Sequence, residues 1–92
     1  MHAPVLPTPH FLSFADLNTP VDCQASDPKG EGRNAVKVYA GGAGTLVVRP
    51  IGGTSDGSDD RTLTLTADKD FDIEFELIAS GTATNVTVFW SR

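Results

Sequence analysis

From residue 35 onward, apolar and polar positions alternate with a period of two. In "AVKVY", Val36 and Val38 fall on one face. "TLVVRP" is rich in β-branched residues and stops at Pro50. "RTLTLTA" turns Leu63 and Leu65 inward and Thr62, Thr64 and Thr66 outward. "DFDIEFELIA" sets Phe71, Ile73, Phe75 and Leu77 against Asp72, Glu74 and Glu76, and "NVTVFWSR" groups Val86, Val88 and Trp90 opposite Thr87 and Phe89. Strict alternation marks half-buried strands, because successive side chains point to opposite sides of a sheet. The links "AGGAG", "GGTSDGSDD", "ADKD" and "SGTATN" are turn-rich. Short strands at nearly regular spacing predict an all-β fold, a small antiparallel sandwich or barrel of about five to seven strands. Nothing after residue 34 predicts a helix.

The first 34 residues read differently, as an extended N-terminal arm before a β domain of residues 35–92. Pro4, Pro7, Pro9, Pro20 and Pro28 interrupt ladders and long helices. Inside the arm, "HFLSFADL" carries Phe11, Phe14 and Leu17 at near-helical spacing, and Thr8 before Pro9 can start one or two helical turns. So short a helix needs an outside surface, so these three residues are expected either to fold back on their own domain or to anchor on a neighbouring subunit. "DPKGEGRN" reads as a flexible polar loop.

Size adds a reason to expect partners. A chain of 92 residues has room for one small core, and small domains usually gain stability from disulfides, metals or subunit contacts. Cys23 is the single cysteine, and His2 and His10 lie in the arm away from it, so oligomerisation or docking on a larger body is the expected supplement. The net charge of −5 disfavours nucleic acid, whose binding needs Lys and Arg to displace counterions. No secretory signal is predicted, since residues 1–9 lack a basic region and are broken by prolines, and no run approaches the ~20 apolar residues of a membrane helix. The expectation is a soluble chain made in a reducing cytoplasm, with no membrane or nucleic-acid partner.

Candidate chemistry is sparse. Gly41, Gly42 and Gly44 follow an apolar run, where a phosphate loop would lie. The third glycine of the dinucleotide fingerprint, the Gly-Lys-Ser/Thr of a P-loop and the following helix are all missing, so the reading is a hairpin turn, with Gly81 in a later turn. Asp56, Asp59 and Asp60 do not have EF-hand spacing and read as a solvated acidic turn. Asp72, Glu74 and Glu76 share one face in like surroundings, which suits a solvated or docking face better than an acid–base pair. No Gly-x-Ser-x-Gly elbow occurs, Cys23 has no histidine base in the folded part, and no cofactor or metal is expected. Asn85-Val86-Thr87 spells a glycosylation sequon. Phe89 and Trp90 read as one interface and one core aromatic, with a sugar-stacking surface as the other possibility.

Two stretches carry a resemblance. "VYAGGAGTLVV", and after a polar loop "FDIEFELIASGTATNVTVFW", resemble small virion proteins of tailed bacteriophages and gene-transfer particles, and most of all the head-spike base protein family. The resemblance spans about residues 35–90 and departs from the family pattern in the acidic "TADKDF" and in Asp72, Glu74 and Glu76. It implies a non-enzymatic structural protein of the virion, a capsid decoration or head-spike base that assembles with itself and meets the major capsid protein or a spike or fibre. A tail or connector protein and a small carbohydrate-binding adhesion module are the alternative expectations.

Overall fold

A computed structural model describes residues 10–91. Among them there is no helix. Eight short antiparallel strands form two four-stranded sheets. The strands are β1 (Phe11–Phe14), β2 (Val21–Asp22), β3 (Ala35–Gly42), β4 (Gly44–Arg49), β5 (Arg61–Leu65), β6 (Lys69–Phe75), β7 (Leu77–Gly81) and β8 (Thr84–Phe89). One sheet has the order β1-β8-β3-β6 and the other β2-β7-β4-β5. The two orders correspond strand by strand. Each of four ribbons, β1/β2, β8/β7, β3/β4 and β6/β5, gives one strand to each sheet and turns a corner between them.

This topology corrects two sequence readings. The glycine-rich loop is not a hairpin, because β3 and β4 lie in different sheets and do not pair. It is a corner, and the link from β7 to β8 is another. The long strand expected over "DFDIEFELIA" is two strands divided at Glu76. Glu76 donates its N–H to the Arg49 carbonyl and accepts from the Cys23 N–H, so both its backbone groups are held at the switch. The one-residue slip moves the buried position from the expected Leu77 to Ile78. A bulge between Ala35 and Lys37 acts the same way in β3, burying Ala35 and Val38 and leaving Val36 half-buried.

The helical turn expected over residues 11–17 is also replaced. Phe11–Phe14 is a strand paired with β8, Phe11 opposite Phe89 and Phe14 opposite Val86. A ladder satisfies the backbone groups that an isolated two-turn helix could not hold against its nucleation cost. The Thr8–Pro9 start signal and His2 lie outside the described residues. Within the expected arm, Leu17, Val21 and Cys23 belong to the same buried cluster as Val38, Leu46, Phe75, Ile78, Val86, Val88 and Trp90. That cluster draws on both sheets, and residues 10–34 and 35–91 therefore share one core.

Candidate functional site

Pairing register brings three of the sequence-predicted residues, Phe11, Phe89 and Asp72, to the exposed side of the β1-β8-β3-β6 sheet. Val86, Val88 and Val38 are buried, so the alternate positions face away from the core. Phe11 lies opposite Phe89, Phe89 opposite Lys37, and Lys37 opposite Asp72, one row across all four strands. The next row is Ser13, Thr87, Tyr39 and Asp70.

The row is graded from aromatic to cationic to acidic. The Phe11 and Phe89 rings are 5.8 Å apart and tilted by 44°, with the His10 ring 5.6 Å from Phe11 and 5.9 Å from Phe89. The Lys37 Nζ sits 4.7 Å from the centre of the Phe89 ring and 3.6 Å from the Asp70 carboxylate. An exposed ammonium over a ring contributes about 0.5–1 kcal/mol, so Lys37 joins the aromatic and acidic halves of the face. In the second row, Ser13 and Thr87 share a hydroxyl hydrogen bond of 3.1 Å. The Tyr39 hydroxyl donates to the Asp68 carboxylate at 2.9 Å, and that hydrogen bond pushes the phenol above its ordinary value.

The remaining predicted residues separate. Phe14 and Leu17 pack with the core. Glu74 is exposed on β6 beyond Asp72. Glu76 leaves the carboxylate row at the sheet switch and lines a polar groove of about 150 Å³ with Asp22, Gln24, Arg49 and Leu77. Trp90 is 1% exposed and its indole N–H donates to the carbonyls of Cys23 and Arg33, so it cannot present a stacking surface. The tilt between Phe11 and Phe89 does not form a single flat platform either.

Gly42 and Gly44 form one corner and Gly81 opens the other, and the two corners meet. Gly42 lies opposite Thr84 and Gly81 opposite Leu46. The Thr45 N–H donates to the Thr82 hydroxyl at 2.9 Å, and the Thr82 and Ala83 N–H groups donate to the Thr45 carbonyl at 3.0 and 3.2 Å. The two glycine-containing links thus touch each other.

The acidic turn is closed on itself. The Asp56 carboxylate accepts from the Thr54 hydroxyl and the Ser58 N–H, which hold it down at about 2, while Asp60 pairs with Arg49 at 3.2 Å. Among the described residues, no group of three or more His, Cys, Asp or Glu side chains is placed to hold a metal ion. Burial, reinforced by the Asp22 charge, pushes the Cys23 thiol up to about 12.

The "DPKGEGRN" loop is organised in a way the sequence did not reveal. The buried Asp27 carboxylate accepts both Nε and Nη2 of Arg33 at 2.9 and 3.1 Å, and also the N–H groups of Lys29 and Arg33. Arg33 Nη1 reaches on to the Ser91 carbonyl. A bidentate carboxylate–guanidinium pair with added backbone donors is the strongest kind of such contact. The Asp-x₅-Arg spacing was its only local signal. The Arg33 side-chain hydrogen bond holds the Asp27 carboxyl well below the usual carboxylate range. A depressed folded value stabilises the protein above the unfolded pKa of about 3.9 and is lost as pH falls below it. Thermal melts are expected to be level near neutrality and to fall below about pH 4. Asp27→Asn should lower the neutral melting temperature and flatten that acid limb. An unchanged acid limb in the variant would show that other carboxylates govern it.

Comparison with family models, curated protein sequences and solved structures gives no match.

Proposed function

We propose that the chain is a non-enzymatic structural protein of a phage virion, a capsid decoration or head-spike base protein. It is a small β-sandwich that assembles as an oligomer on the head and meets a capsid or spike protein. The carrying observation is the graded row Phe11–Phe89–Lys37–Asp72, a solvent-facing surface on which Lys37 touches the Phe89 ring and the Asp70 carboxylate beside Asp72. Aromatic residues are enriched at the centres of protein interfaces, and charge at the rim sets register and encounter rate.

The test is co-sedimentation of the purified protein with heads that lack it. Binding is expected, and it should weaken from about 0.1 M to about 1 M salt, as the screening length falls from about 10 to about 3 Å. Asp72→Lys with Glu74→Lys should weaken it further. A protein that stays in the supernatant at all salt concentrations would refute the proposal.

A further inference from the structure

We infer that copies of this chain join head to tail, the β1 edge of one pairing with the β6 edge of the next, so that the β1-β8-β3-β6 sheet runs on through the assembly. This deepens the proposed function and rests on its reading of the chain as an oligomeric virion component. Among the described residues β1 pairs only with β8, and β6 only with β3. A strand edge with unpaired N–H and C=O groups is a template for another strand.

Strand direction favours this partner. All three pairings within the sheet are antiparallel, so β1 and β6 point in opposite directions. A second copy in the same orientation therefore offers β1 antiparallel to β6, and the ladder continues without a break in pattern. The apolar row agrees. Leu12, Val88, Val38 and Phe71 lie side by side across the sheet, with Val88 and Val38 wholly buried. The two ends of that row, Leu12 and Phe71, are 36% and 39% exposed, one at each edge. Head-to-tail pairing in the same rows sets the Phe71 of one copy beside the Leu12 of the next and covers both. The other sheet is built to match, since its edges β2 and β5 are the chain continuations of β1 and β6.

Charge counts against a two-fold pairing of β6 with itself. β1 has no charged residue, whereas β6 carries Lys69, Asp70, Asp72 and Glu74. Pairing β6 with β6 would set carboxylates against carboxylates, which destabilises a ladder. Pairing β1 with β6 meets no such opposition. A contact between two different surfaces repeats until it closes a ring or runs on as a filament.

The test uses variants blocked at opposite edges, Leu12→Glu and Phe71→Glu, with circular dichroism to check that the exposed substitutions leave the β fold intact. Light scattering should give a multimer for the native chain and the 9.7 kDa monomer for each variant alone. An equal mixture of the two should stop at a pair, because only one open edge of each kind remains. Independently, Ser13→Cys and Asp70→Cys should cross-link when mixed under oxidation and not separately; Cys23 is buried and does not compete. Variants that keep the native mass, a mixture that stays monomeric, or cross-links within Asp70→Cys alone would each overturn the edge pairing while leaving the oligomer in place. A native chain that is monomeric at every concentration would overturn it as well, and co-sedimentation with heads would then decide the functional reading by itself.

Discussion

Replacing Trp90 by alanine is expected to remove much of the stability of the fold. Trp90 is among the largest wholly buried side chains and, one residue past β8, continues the buried run of Val86 and Val88. Truncating a buried tryptophan costs about 3–5 kcal/mol through lost transfer energy and the cavity left behind. Domains of this class are stable by about 5–15 kcal/mol, so the loss is a large fraction of the whole. The indole N–H adds a separate contribution. It is shared between the Cys23 carbonyl at 3.0 Å and the Arg33 carbonyl at 3.2 Å, joining the loop after β2 to the Asp27–Arg33 loop. Trp90→Phe keeps an aromatic ring in the core and loses this donor, which costs about 1–3 kcal/mol. Urea unfolding should therefore rank native, Trp90→Phe and Trp90→Ala in falling stability. A Trp90→Ala midpoint within error of the native one would show that the core does not depend on this residue. Because Arg33 takes part in both contacts, Trp90→Phe and Asp27→Asn should combine non-additively.

Trp90 also shows what could be read without the structure. Its inward side, shared with Val86 and Val88, follows from period two alone, as do Leu65 and Phe75. The all-β class follows from the same alternation. Period two assigns a residue to a side of a strand but says nothing of which sheet the strand joins. The glycine loop reads as a hairpin from sequence, since a hairpin and a sheet-to-sheet corner use the same turn residues. Glu76 was read as one of three carboxylates in a row because nothing local marks the sheet switch. That switch depends on backbone bonds to Arg49 and Cys23, both distant in sequence. β1 was missed for the same reason, its strand state being imposed by β8 at the other end of the chain. The exposed face fared in between. Phe11, Phe89 and Asp72 each stand out in the sequence, whereas Lys37, which bridges the Phe89 ring and the Asp70 carboxylate, does not. Its role exists only in the cross-strand register.

Gly44→Val should abolish folding, and Gly44→Ala should already cost more than about 3 kcal/mol, beyond the usual range for overpacking. A Cβ built at Gly44 would stand 2.5 Å from the Ala83 nitrogen and 2.7 Å from the Ala83 Cα and Thr82 carbonyl carbon. All three obstacles are backbone atoms, so no rotamer change relieves the clash. To make room, the two corners must part, and the bonds from Thr82 and Ala83 to the Thr45 carbonyl are lost with them. Gly42 gives the control. A Cβ there would collide with the Thr84 hydroxyl, the end of a side chain. Gly42→Ala should thus be destabilising alone and largely rescued by Thr84→Ala, whereas no side-chain truncation at residues 82–84 should rescue Gly44→Ala. The close approach at this loop is therefore made within the chain, by one corner against the other. Chemical unfolding of the Gly42 and Gly44 series, with and without the Thr84 substitution, measures the difference directly. A Gly44→Ala protein as stable as the native one would mean that the two corners are not in contact. Rescue at Gly42 with none at Gly44 would establish that backbone-to-backbone packing fixes the passage between the sheets.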